Sequence, residues 1–290
     1  MAEISAKAVK DLRDKTGAGM MECKKALEET GGDIEKAIEH LRKRGAAMAA
    51  KRADREAKEG LIVVECSADQ SAAVMVEVNC ETDFVARSED FTKFAKAVAL
   101  LALNECPKSK DELLSKTMSS EFGGQTVAST VESMVGKVGE KMEISRLAVI
   151  KAEGGVVVPY VHPGSKLASL VELSVDQKQD DVLTLAKDLA MQVAASAPIV
   201  KDRSEVPSEN IEREREIFRQ QAIGEGKPEK VIDRIVTGKI EKYYQDVVLL
   251  EQAFIKDGTK TVADILKETS NRLSSRIELK SFIRFQLGER

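Results

Sequence analysis

Between residues 74 and 94 the hydrophobic period of this chain switches from two to 3.6, and the same switch occurs a second time further on. Val74, Val76 and Val78 alternate with longer or polar residues, the mark of a strand with one buried face. From Ser88 onward Phe91, Phe94, Ala95, Val98, Leu101 and Ala102 recur at helical spacing. Ser88 is placed as the N-cap, with Glu89 and Asp90 near the positive end of the helix dipole. Residues 168–196 repeat the plan. Val171-Glu172-Leu173 matches Val76-Glu77-Val78, and Asp181-Val182 with Leu185-Ala186-Lys187 matches Asp90-Phe91 with Phe94-Ala95-Lys96. A chain that carries this internal repeat is predicted to build an α+β core of two similar subdomains.

The two copies differ in their connections. The offset falls from 95 (Val76 to Val171) to 91 (Asp90 to Asp181), so the first connection is longer by about four residues. It holds Thr82-Asp83-Phe84-Val85, an acid beside a large apolar ring, and its Asp-Phe-Val has no counterpart in the second copy. Phe84 belongs to neither period. One reading folds it back as a plug for the local core; the other holds it out for a partner. An element added to one of two similar scaffolds points to function, because connections run over the surface and an apolar ring there needs something to cover it.

Size and charge narrow the classes. At 290 residues the chain has room for two or more cores. Trp is absent and aromatics are sparse, so those cores must be built from Val, Ile, Leu, Met and Ala. A net charge of −4 argues against a general nucleic-acid binder. Cys23, Cys66, Cys80 and Cys106 lack paired spacing and only two histidines exist, so no metal site is expected and the thiols read as free and reduced. The N-terminus, charged by Glu3 and Lys7, has no apolar leader, and the longest apolar run, Ala97–Leu103, is too short to cross a bilayer. The expectation is a cytoplasmic protein with no membrane partner.

Residues 1–55 read as a three-helix bundle followed by a basic linker. Ser5 caps a first helix, with Ile4 stapled onto Val9 and Leu12 extending the apolar face, before Thr16-Gly17-Ala18-Gly19 breaks the chain. Met20, Cys23 and Leu27 share one face of a second helix. Met21 points about 100° away, a flexible thioether suited to an adaptable surface. After Gly31-Gly32, Asp33 caps a third helix whose Ile34, Ala37, Ile38 and Leu41 lie on one face. The Lys- and Arg-rich stretch 42–58 reads as a solvated helical linker in preference to a phosphate-binding patch. The core subdomains are assigned to 56–145 and to 146–202 with 247–290. Residues 203–246 form an inserted antiparallel helical hairpin of the coiled-coil kind, its seams Ile211, Phe218, Ala222 and Val231, Ile235, Val236, Ile240.

No motif supplies an enzyme's chemistry. Gly-Glu-Gly-Lys at 224–227 lacks the spacing of a phosphate loop, and Gly17-x-Gly19 follows no strand. His40, near the end of the third helix, reads as a dipole contact. His162 has no nucleophile or carboxylate placed beside it, which favours a turn or interface role. No catalytic residue and no cofactor is expected.

Two stretches carry a resemblance. Thr16-Gly-Ala-Gly-Met-Met-Glu-Cys-Lys-Lys-Ala-Leu27 and Val78-Asn-Cys-Glu-Thr-Asp-Phe-Val-Ala86 resemble the signatures of the elongation factor Ts family, bacterial nucleotide-exchange factors for the GTPase elongation factor Tu. The resemblance runs over almost the whole chain. It implies a ubiquitin-associated-like N-terminal bundle, a two-subdomain core and an inserted hairpin. It further implies that Asp83 and Phe84, flanked by Thr82 and Val85, enter the GTPase beside its magnesium and phosphate site. Leu12, Arg13, Met20 and Met21 would form an N-terminal contact with the same domain, and Val138 and His162 would be further contact positions. The hairpin would serve as an accessory contact or as a homodimer interface. The alternative reading is a non-catalytic adaptor that docks through the bundle and the hairpin.

Overall fold

The structure, a computed structural model, describes residues 4–289; Glu3 of the charged N-terminus lies outside them. Three helices come first: α1 (Ala6–Thr16), α2 (Met20–Glu29) and α3 (Ile34–Arg52). The Ala8 N–H donates to Ser5 Oγ and the Lys36 N–H donates to Asp33 Oδ1, so both predicted caps form. Val9, Leu12, Cys23, Ala26, Leu27 and Ala37 close the small core between them.

The first sheet is built from β1 (Glu59–Cys66) and β2 (Ala72–Cys80), followed by a single helical turn, α4 (Asp83–Ala86). Then come α5 (Glu89–Glu105), α6 (Lys110–Ser115), α7 (Val127–Val138) and β3 (Met142–Lys151). The second part runs through β4 (Gly155–Val161), β5 (Leu167–Val175), α8 (Asp180–Ser196), α9 (Ser208–Gly224) and α10 (Glu229–Val247). It ends with β6 (Ala253–Phe254), β7 (Asp257–Thr261), α11 (Val262–Leu273) and β8 (Ile277–Gln286). The large sheets are antiparallel with strand orders β1-β2-β3 and β4-β5-β8, and the edge strands β3 and β8 are bulged at Ser145 and Lys280, opposite Glu77/Val78 and Glu172/Leu173 of the central strands. Among the described residues no helix is long and apolar enough to cross a membrane.

Stacking of the two sheets corrects the first expectation. Val74, Val76, Val78 and Cys80 face Phe91 and Phe94 of α5 and Val135 of α7. The opposite face of β2 is buried as well, because Ala73 and Met75 join Val157, Leu170 and Phe285 of the second sheet in a shared layer. Alternation along β2 therefore sorts residues between two cores, not between core and water. The subdomain boundary set at 145/146 is corrected too. It cuts through β3, which pairs with β2 from Met142 to Lys151 and so belongs to the first sheet.

The basic stretch is not a solvated linker. Its first half is the continuation of α3, which packs across α7 at a glycine–glycine crossing. A Cβ on Gly45 would lie 2.7 Å from the Glu132 carbonyl oxygen, and one on Gly136 would lie 3.0 Å from Gly45 Cα. Met48 and Ala49 beyond the crossing rest on the core of the first sheet. Arg44 pairs with Glu22, while Arg52 and Arg55 both reach Glu81 at 3.0 Å. His40 accordingly lies mid-helix, with Nε2 2.9 Å from a Glu29 carboxylate oxygen. In the hairpin of α9 and α10 the buried seam is Ile211, Ala222, Ile232, Val236 and Ile240, so Ile232 takes the place expected for Val231.

The same substitution at two helical glycines is expected to act with opposite signs. Gly45→Ala forces α3 and α7 apart and lowers stability by about 1–3 kcal/mol, more than the gain in helix propensity. At Gly238 in α10 a Cβ would meet nothing within 4 Å. Gly238→Ala should raise stability by about 0.5–1 kcal/mol. Urea denaturation of both variants checks the two signs.

Candidate functional site

Strand β2 ends at Cys80, and the next residues are tied down one by one. The Glu81 carboxylate accepts the Lys141 N–H at 2.6 Å and the Arg52 and Arg55 guanidiniums at 3.0 Å. The Lys141 N–H first, then Arg55 and Arg52, holds that carboxyl below the usual range. Thr82 donates its N–H to Glu140 Oε2 at 3.0 Å and its hydroxyl to Glu140 Oε1 at 2.7 Å. The Thr82 carbonyl accepts the Cys80 thiol at 3.1 Å and the Ala86 N–H at 3.2 Å. Thr82 Oγ1 also accepts from the Val85 N–H at 3.4 Å, which makes it the N-cap of α4.

On this frame the four residues of the turn diverge. Ala86 is buried, and Val85 is half-buried against the first core. Phe84 points the other way and is 84% exposed, the most exposed of the large apolar side chains among the described residues. The core-plug reading of Phe84 is thereby excluded. Asp83 pairs with Arg87 at 3.1 Å one turn on, an exposed i,i+4 pair that leaves the acid accessible. The Ser88 N–H and Oγ both donate to the Val85 carbonyl, and Ser88 Oγ accepts from Phe91, so the turn runs directly into α5.

The remaining predicted contact residues separate by burial. Leu12 is 0% exposed at the centre of the bundle core, on the apolar face that spacing gave it, so the direct contact that the resemblance implied has no exposed side chain there. Arg13 is exposed in the last turn of α1. Met20 has the spacing of the inward face of α2 with Cys23 and Leu27, yet as the first residue of that helix it is 53% exposed. Met21 is 74% exposed. Val138 closes α7 half-buried against the first core. His162 is exposed in the turn after β4, its Nδ1 3.0 Å from the Tyr160 hydroxyl.

Glu140, Glu81, Arg52 and Arg55 were not legible as site residues. Glu140 and Thr82 are 58 positions apart, and no local pattern links them. The available signal was Gly139, whose left-handed φ of 79° ends α7 and turns the following acid back toward the sheet. Cys80 is buried, and burial first, then the nearby Glu140 carboxylate, pushes its thiol up to about 12. It is therefore a hydrogen-bond donor at the site. Among the described residues, no group of three or more His, Cys, Asp or Glu is placed to hold a metal ion.

Phe84, Met20 and Met21 are thus large apolar side chains held in water, the kind of group that interfaces bury. A family model described as elongation factor TS matches residues 81–289. The elongation factor Ts of Chloroherpeton thalassium is 64% identical over 290 residues, covering all of both chains. That of Chlorobium limicola is 55% identical over 289 residues, and that of Prosthecochloris aestuarii 54% over 288, each covering at least 99% of both chains. The chain belongs to the elongation factor Ts family.

Two outcomes follow from the geometry. Phe84→Ala should leave the urea midpoint within about 0.5 kcal/mol of the parent, since an exposed side chain carries little folding energy. Cys80 should resist iodoacetamide at pH 8 in the folded protein and react once it is unfolded. Rapid native-state labelling, read by peptide mass, would contradict its assignment as a buried, protonated thiol.

Proposed function

We propose that this chain is a cytoplasmic guanine-nucleotide exchange factor of translation elongation that binds the GTPase elongation factor Tu and accelerates GDP release. The observation that carries the reading is the exposure of Phe84 on a clamped turn, in a chain of this family. A GTPase holds its nucleotide through backbone N–H groups at a helix N-terminus and through a magnesium ion that bridges the phosphates. A ring wedged between the partner's elements, with the Asp83 carboxylate near the metal, need only favour a conformation with a poorer phosphate cradle. By linkage, whatever loosens nucleotide when the factor binds must loosen the factor equally when nucleotide binds, so the ternary state is transient. No bond is made or broken by the chain's own residues.

Met20, Met21 and Arg13 supply a second contact, with thioethers that adapt to an apolar surface. His162 supplies a third from the β4–β5 turn. Leu12 acts only through the bundle it fills. The bundle is ubiquitin-associated-like, and the two sheets with α5 and α8 derive from one repeated plan, of which only the first copy carries the Asp-Phe turn. A second reading, docking or self-association through the hairpin without nucleotide exchange, rests on the exposure of Ile217 and Ile223 on α9.

Stopped-flow release of labelled GDP from elongation factor Tu separates the two. The exchange reading expects acceleration by the parent chain and a fall of about tenfold or more in the maximum rate with Phe84→Ala, the size expected for loss of one aromatic anchor. Unchanged release in the presence of the parent chain would leave only the adaptor.

A further inference from the structure

We infer that Glu140 is a positioning residue for Phe84, acting through Thr82; the inference rests on the exchange reading above. A helix of four residues has no stability of its own, because nucleation costs more than one turn of hydrogen bonds returns. At 84% exposure the Phe84 ring has almost no packing to fix its direction. Its direction must be inherited from the backbone of α4, and that backbone is set at its N-cap, Thr82. There Glu140 takes both the N–H and the hydroxyl of Thr82, at 3.0 and 2.7 Å, on two oxygens of one carboxylate. Such bidentate, charge-assisted bonding fixes orientation as well as distance. The hydroxyl, with its proton committed to Glu140, has its lone pair turned to the Val85 N–H, so the clamp and the cap reinforce each other.

The same segment holds the far side of the turn. Lys137, three residues before Glu140, reaches an Asp90 oxygen at 2.7 Å in the first turn of α5. Residues 137–141 thus grip the chain before α4 through Glu140 and the Lys141 N–H, and after it through Lys137. The Asp83–Arg87 pair cannot substitute, since it lies wholly within the turn and would move with it. Removing the carboxylate leaves Thr82 with two unmatched donors and α4 free to rotate about the end of β2. The ring would then have to be ordered on docking, a cost that a preorganised turn avoids.

The test uses the full chain with Glu140→Ala and the milder Glu140→Gln, which keeps the volume and one acceptor oxygen. In the free protein, amide hydrogen exchange at Ala86 and Arg87, bonded to the Thr82 and Asp83 carbonyls, should quicken severalfold in Glu140→Ala, while α11 is unchanged. In labelled-GDP release from elongation factor Tu, the maximum rate at saturating factor should fall about tenfold for Glu140→Ala and less for Glu140→Gln, as expected for loss of charge-assisted hydrogen bonds. In a Phe84→Ala background, Glu140→Ala should cost almost nothing more, because there is no ring left to aim. A purely structural role would instead add its full cost to that of Phe84→Ala. Full additivity, unchanged amide exchange, or parental rates for both Glu140 variants would each overturn the assignment. The parent chain alone reports on the exchange reading, so failure of that reading is seen separately.

Discussion

Strand β2 is buried on both faces, and most of the molecule's order follows from that. One face is sealed by α5 and α7, the other by the strands of the second sheet. Even its polar residues are taken in: Glu77 accepts the Arg146 guanidinium at 2.5 and 2.6 Å and the Gly288 N–H at 3.2 Å. A buried carboxylate survives only with such partners, and these draw the end of β8 across the first sheet. Arg146 in turn lies 4.1 Å over the Phe285 ring and donates to the Gln286 carbonyl. With β2 unable to slide or twist, its last residue is a fixed point from which the chain can present something to solvent.

What it presents is costly to present. An exposed phenylalanine gains nothing for the fold, and the turn that carries it has too few residues to hold itself. The surrounding structure makes up the difference with short, charged contacts, Glu140 on Thr82 and three donors on Glu81. Arg52, the last residue of α3, and Arg55, just beyond it, are two of those donors, so the helix that leaves the N-terminal bundle also braces the turn. The Gly45–Gly136 crossing sets how closely that helix approaches α7, and α7 ends in the Lys137–Glu140 segment. Bundle, crossing and turn form one continuous packed path.

The sequence made the local features plain because they depend on neighbours a few residues away. Ser5, Asp33 and Ser88 cap where spacing placed them, and Phe84 stood out by fitting neither period. Features set by distant contacts were not visible. Spacing put both Leu12 and Met20 on apolar faces, but the meeting of three helices buried Leu12 and left Met20, at the start of α2, in water. The second buried face of β2 required a partner sheet some ninety residues on, about the span over which Val76 finds its counterpart Val171. The basic stretch looked solvated because charge composition hides Gly45, which lets α3 and α7 meet, and Ala49, which rests on the first core. Glu140 carried no signature except the glycine before it.

Phe84 as a ring fixed in water and covered only by a partner is most directly tested with 4-fluorophenylalanine at position 84, read by fluorine NMR. In the free chain its resonance should be sharp and show the full shift between light and heavy water. On binding nucleotide-free elongation factor Tu that solvent shift should vanish. A free-state resonance insensitive to the solvent, or one that stays sensitive in the complex, would contradict the account.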